Sequence, residues 1–219
     1  MVDNGFIIKK LQTLKYVMKS LGIISVIPII TNNIVTPVMV FITYQYYGMD
    51  EHTLNNIIYY VQILSPFFST FWIYMNLIKY IDIDGNEIFY LKNKVKIKEV
   101  IMLFFVYTLL SSMPFIWYIK MYPKLVWELI HLIIIYLFLA SLAYFLSYLL
   151  KSVLYAIIPM LCYTFLSLTL LKNNKVYLWS YYEPNGMSPD MIKEKYVWFI
   201  IMAIIFMIAG SFLNKKYEN

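Results

Sequence analysis

Apolar residues along this chain come in long runs broken by short polar clusters. A run of roughly 20 mostly apolar residues crosses about 30 Å of hydrocarbon as a helix. Six such runs are read: 22–46, 57–79, 100–119, 125–150, 153–171 and 196–213. Residues 6–20 have a different pattern. Ile7, Leu11, Leu14, Met18 and Leu21 recur at spacings of four and three, with Lys9, Gln12 and Lys19 opposite, which predicts an amphipathic helix. Such a helix lies in the membrane interface with its lysines reaching toward headgroups. The expected fold is therefore all-α: one transmembrane domain over residues 1–219, with an N-terminal interfacial helix and six transmembrane helices. The polar stretch 80–99 and the polar-aromatic stretch 172–195 are the long connections; the others are tight turns.

Composition agrees with this pattern. Hydrophobic residues make up 62% of the 219 residues and charged residues 14%, against about 25% charged in soluble domains. Six spans and their connections nearly exhaust the chain, so no separate soluble domain is expected. The net charge is +6 and all 18 basic residues are lysine. The lysines flank the apolar runs, so they read as topology control and contact with anionic lipid, not as nucleic-acid binding. With six spans both ends share one side. That side carries twelve lysines and the other side six, which predicts a multi-pass protein of the cell membrane with both termini cytoplasmic. The single cysteine, Cys162, excludes an intramolecular disulfide.

The chain has no GxxxxGK[ST] phosphate loop, no HExxH and no GxSxG. ATP binding by a P-loop, zinc hydrolysis and serine hydrolysis thus lack their usual signatures. No catalytic residue, metal ligand or cofactor site is expected in this chain. In the stretch Asp82–Glu87, Gly85 comes too early for a calcium loop, and a turn is the reading of those residues.

Polar residues inside the apolar runs are the remaining candidates. Glu128 and His131 are spaced i, i+3 and share a helix face near the outer end of the fourth span. They read either as an interface-level pair touching water or headgroups, or as a proton-coupling or substrate-binding pair. Thr31, Asn32 and Asn33 lie mid-span between Pro28 and Pro37. Unpaired amides in hydrocarbon are costly, so these must face other helices or water. They form either an interhelical clamp or part of a translocation path, and Gln62 and Asn76 raise the same alternatives.

The layout of an interfacial helix, six spans and both ends inside resembles the membrane permease subunit of ABC transporters, type-two exporter family. The resemblance covers nearly the whole chain. The second span exits into Ile81-Asp82-Ile83-Asp84-Gly85-Asn86-Glu87-Ile88-Phe89-Tyr90-Leu91 and then a lysine-rich stretch. In that family this loop holds a coupling helix that docks on the ATPase, which implies a coupling role for Asp82, Asp84, Glu87, Phe89, Tyr90 and Leu91. The loop with Tyr181-Tyr182-Glu183-Pro184 stands where the family keeps a short re-entrant or surface helix, and the ending Ala209–Lys216 is similar to the family's closing span. The chain departs from the family in having only six glycines, so close GxxxG-type backbone packing is not evident. The resemblance implies an exporter subunit that pairs with a second permease chain, a homodimer or heterodimer in the lipid bilayer. ATP and magnesium would be bound by a cytoplasmic ABC ATPase subunit, not by this chain. The alternative is a six-span substrate-binding membrane subunit of an energy-coupling uptake transporter.

Overall fold

The computed structural model describes residues 22–82, 96–169 and 178–217. The expected interfacial helix 6–20 and the residues Asp84, Glu87, Phe89, Tyr90 and Leu91 lie outside them. Among the described residues the regular structure is entirely helical. The helices are α1 (Ile23–Tyr47), α2 (Glu51–Ile81), α3 (Ile97–Ser112), α4 (Phe115–Met121), α5 (Leu125–Leu149), α6 (Val153–Thr169) and α7 (Pro189–Lys215).

Four of these, α1, α2, α5 and α7, are each long and apolar enough to cross a membrane. The expected third span is broken. Pro114 and the residue before it interrupt the helix, and α3 and α4 meet at 42°; read as one bent span, they make a fifth. The expected fifth span is present as α6, but its 17 described residues fall below spanning length, at roughly 25 Å. The expected second span, 57–79, lies within a longer helix. α2 runs 31 residues, roughly 46 Å, longer than the hydrocarbon thickness of a bilayer.

Local chemistry sets the ends and the breaks. Asp50 caps α2 by accepting the N–H of Thr53 at 2.9 Å, and the Thr53 hydroxyl donates to Gly48 O at 2.8 Å. The turn between α1 and α2 is thus closed at both levels. Pro37 has no N–H to give, so the helix before it widens into a π turn over Thr31–Val35. The Thr36 hydroxyl donates to Thr31 O at 3.0 Å across that turn.

α5 is the centre of the bundle and packs against α2, α3, α4, α6 and α7, with α7 its most extensive partner. Inside their apolar windows α2 and α5 are 61% buried, whereas α1 is 28% and α7 22% buried. α1 and α7 therefore turn most of their apolar surface outward, as helices facing lipid or another chain do. Few glycines do not prevent a close approach. A Cβ on Gly210 of α7 would lie 2.6 Å from a ring carbon of Tyr144 and 3.2 Å from the Cα of Phe145 on α5, so this contact needs glycine. In lipid, helices associate through such packing and through interhelical hydrogen bonds rather than through burial from water.

Candidate functional site

Three polar clusters sit inside the bundle at different depths. The middle one is built on Asn32. Its amide donates to the hydroxyls of Tyr107 at 2.7 Å and Ser111 at 2.9 Å, and its carbonyl accepts from Ser65 at 3.0 Å. The Tyr107 hydroxyl in turn donates to Ser65 O. Asn32 is buried, and both ends of its amide are used. It clamps α1 to α2 and α3. Trp72 adds a second tie between α1 and α2, donating to Ser25 O at 2.9 Å. Thr31 and Asn33 behave differently from Asn32. Each donates to a carbonyl one turn back in its own helix, Ile27 O at 3.0 Å and Ile29 O at 3.1 Å.

The second cluster lies where α2 ends and α3 begins. Glu99 accepts from the Asn76 amide at 2.9 Å and from the Tyr80 hydroxyl at 2.8 Å. The ammonium of Lys96 stands 3.9 Å from the centre of the Tyr80 ring. All of these except Tyr80 are buried. Two residues beyond Tyr80, the Asp82 carboxylate accepts the N–H of Val153 at 3.0 and 3.3 Å. An acidic side chain at a helix N-terminus satisfies an otherwise orphaned donor and opposes the positive end of the helix dipole. Asn76 and Asp82 thus have structural partners on α3 and α6, respectively.

The third cluster, at the other end of the bundle, is the richest. Glu128 and His131 on α5 are 1% and 0% exposed. Of the two sequence readings, the one with both side chains open to water or headgroups does not match this burial. Residues 178–188 cover the pair. Gln62 on α2 donates to Glu128 Oε1 at 2.9 Å and to Glu183 O at 3.1 Å, and accepts the N–H of Glu183 at 2.8 Å. His131 Nδ1 lies 3.0 Å from Glu128 Oε1, and Nε2 lies 2.9 Å from Tyr181 O. Tyr196 donates to the same Tyr181 carbonyl at 3.1 Å, and its ring meets the imidazole edge-on at 4.5 Å. Lys195 and Glu183 form an ion pair buried beside it.

Two local features build this cluster. α7 contains a π turn near its start, Ile192–Tyr196, and both Lys195 and Tyr196 reach Glu183 from it. The 178–188 segment is mostly irregular: it has one short helical turn at Leu178–Trp179 and a further turn at Pro184–Asn185. Its Gly186 has φ 74°, and a Cβ there would lie 2.8 Å from Ile58 on α2. Ser180 bonds Ser167 O on α6 at 2.8 Å, and Trp179 O accepts from Tyr163 at 3.0 Å. The segment is thus stapled to α2, α5, α6 and α7 at once.

The sequence marks Gln62 and, as a pair on one helix face, Glu128 and His131, but does not join Gln62 to that pair and does not mark Lys195, Tyr196 or Glu183 as site residues. Glu183 followed by proline inside an aromatic stretch was the available signal, because an acid among aromatics far from other charge needs a partner. The described residues contain no group of three or more His, Cys, Asp or Glu side chains able to hold a metal ion. A mostly apolar recess of about 390 Å³ opens between α5, α7 and the covering segment, lined by Phe138, Trp179, Lys195, Trp198, Phe199 and Met202. Comparison with protein-family models, curated proteins and solved structures finds no match to this chain.

Proposed function

We propose that this chain is the transmembrane permease subunit of an ATP-driven exporter of the type-two ABC class, coupled to a separate cytoplasmic ATPase. It lies in the cell membrane with both termini cytoplasmic and pairs with a second permease chain. In this reading α3 and α4 form one bent span and α6 a short one, which gives six. The observation that carries the proposal is how the 83–95 connection is anchored. Its two stems, the end of α2 and the start of α3, are fastened to each other by Asn76, Tyr80, Lys96 and Glu99. Asp82 fastens the first stem to the start of α6. A partner that pushes on this connection moves α2, α3 and α6 together. No chemical step falls to this chain; it converts the ATPase's closing motion into a change of helix tilt.

Purification of the tagged chain from its own membranes in mild detergent tests the proposal. An ABC ATPase and a second permease chain are expected in the complex. Recovery of the chain without an ATPase contradicts it.

A second reading, the substrate-binding subunit of an uptake transporter, has one observation in its favour. The recess of about 390 Å³ beside Lys195 falls within the size range of small-molecule sites. Under that reading the purified chain carries a small molecule released on denaturation.

A further inference from the structure

One flank of the bundle is hollow. The recess of about 390 Å³ between α5, α7 and the covering segment runs along α7. There Lys195, Trp198, Phe199 and Met202 recur at i, i+3, i+4 and i+7, so they share one helix face. From Lys195 to Met202 the helix rises roughly 10 Å, within the roughly 15 Å of hydrocarbon in one leaflet. The inner wall is aromatic: Phe138 of α5 meets Phe199 edge-on at 5.0 Å, and both are buried. The mouth faces away from the bundle, since Trp179 and Trp198 are 59% and 65% exposed and α7 is mostly unburied. Tyr163 of α6 holds Trp179 in place by donating to its carbonyl at 3.0 Å. The recess is thus preformed and opens sideways, toward lipid.

The chemistry of the lining selects the occupant. A small molecule arriving from water is oriented by a few convergent polar groups. Among the described lining residues the only charged side chain is Lys195, and the Glu183 carboxylate already engages its ammonium. The two are neutral together, so the recess asks for no countercharge. Its depth, at Phe138, Phe199 and Met202, offers dispersion contact and almost nothing polar. At the mouth stand the two indoles, whose N–H groups make no hydrogen bond among the described residues. An indole is apolar over its body and donates at one edge, which suits it to the boundary between hydrocarbon and headgroups. The ester carbonyl at the top of an acyl chain is an acceptor found at that level.

We propose that this recess is a binding site for one acyl chain of a membrane phospholipid, entered from the bilayer between α7 and the covering segment. The chain lies along α7 with its methylenes against Phe138, Phe199 and Met202, and its ester carbonyl accepts from an indole at the mouth. A concave wall surrounds the chain with more contacting atoms than the convex face of a lone helix does, which separates a bound chain from passing lipid. The site needs no ATPase, so it stands or falls apart from the exporter reading.

A phospholipid carrying a diazirine on one acyl chain reads the site directly. The protein as purified from its own membranes is reconstituted in phosphatidylcholine vesicles containing this probe and irradiated, and its adducts are mapped by mass spectrometry. Phe138 and Phe199 are 7% and 5% exposed, so passing lipid scarcely reaches them. Leu109 of α3, 64% exposed, reports passing lipid. Adducts on Phe138 and Phe199 are expected to be at least as abundant as those on Leu109. Met202→Trp fills the recess and is expected to cut the Phe138 and Phe199 adducts at least about tenfold, because a packed space admits no second occupant, while Leu109 labelling persists. Fewer adducts on Phe138 and Phe199 than on Leu109 in the parent mean passing lipid only, or a second copy of the chain over the recess, and overturn the proposal without recourse to the variant. Undiminished Phe199 labelling in a Met202→Trp protein that still labels at Leu109 overturns it as well.

Discussion

The carboxylate of Asp82 accepts the first N–H of α6, that of Val153, at 3.0 and 3.3 Å. This bond joins two helices that are otherwise separated in the chain by α3, α4 and α5. Asp82 is the last described residue before the 83–95 connection, so the bond stands at the edge of that stretch.

Asp82→Ala removes this cap and is expected to cost about 1 kcal/mol, the usual loss for a capping side chain. Asp82→Asn keeps an acceptor of nearly equal capping strength and is expected to retain most of the stability. Thermal unfolding in detergent checks both. In a transport assay Asp82→Ala is expected to lose more activity than its stability loss explains, because helix α6 no longer follows α2.

Asn32 and Asn33 are neighbours in sequence with different jobs. Asn32→Leu breaks three interhelical hydrogen bonds, an expected loss of about 2 kcal/mol at roughly 0.6 kcal/mol per bond in a bilayer. Asn33→Leu removes a bond only to Ile29 O of its own helix and is expected to be close to neutral. The fraction of monodisperse protein after a heat step separates the two variants. Equal losses at both positions would contradict the clamp.

Gly210→Ala places a methyl group within 2.6 Å of the Tyr144 ring. The Phe145 backbone stands behind it, so relief requires α7 to move away from α5. A loss of about 1–3 kcal/mol is expected, the usual cost of overpacking, and it is read as a lower melting temperature. Tyr144→Leu in the same chain is expected to recover part of the loss.

Much of the architecture is legible in the sequence because the bilayer imposes a length on every span. The runs at 22–46 and 125–150 correspond closely to α1 and α5, and the run at 196–213 lies within α7. The bend between α3 and α4 is harder to read, since Pro114 within an apolar run is equally compatible with a kinked helix and a broken one. The site is less legible than the fold. Glu128 and His131 declare themselves by their spacing on one helix face. Their partners Gln62, Tyr181, Glu183 and Tyr196 come from elements far apart in the chain, and helical periodicity says nothing about which of them meet. Nor does it show that 178–188 folds over the pair, because that arrangement depends on backbone carbonyls, which carry no sequence signal. Gly210 shows the same limit. A lone glycine in a span reads as nothing in particular until the ring it accommodates is known.

The orientation proposed for the chain gives a separate test. In a Cys162→Ser background, Asn185→Cys is expected to react with an impermeant thiol reagent in intact cells, and Asn93→Cys is not. Asn185 is exposed at the Glu128 end, so failure there cannot be assigned to burial. The reverse pattern would invert the topology, and labelling at both positions would exclude the six-span layout.

Phe89→Ser with Leu91→Ser is expected to release the ATPase while the chain still inserts, at about 2 kcal/mol or more for each anchor lost. Copurified ATPase per permease, measured beside an inserted-protein control, gives the result.

The central claim is that a partner drives this chain through the 83–95 connection, and site-specific photo-crosslinking at Phe89 in living cells tests it most directly. A photoreactive residue at that position should yield an adduct whose second component is an ABC ATPase subunit. Crosslinking to lipid alone would mean that Phe89 rests on the membrane surface, and would contradict the account.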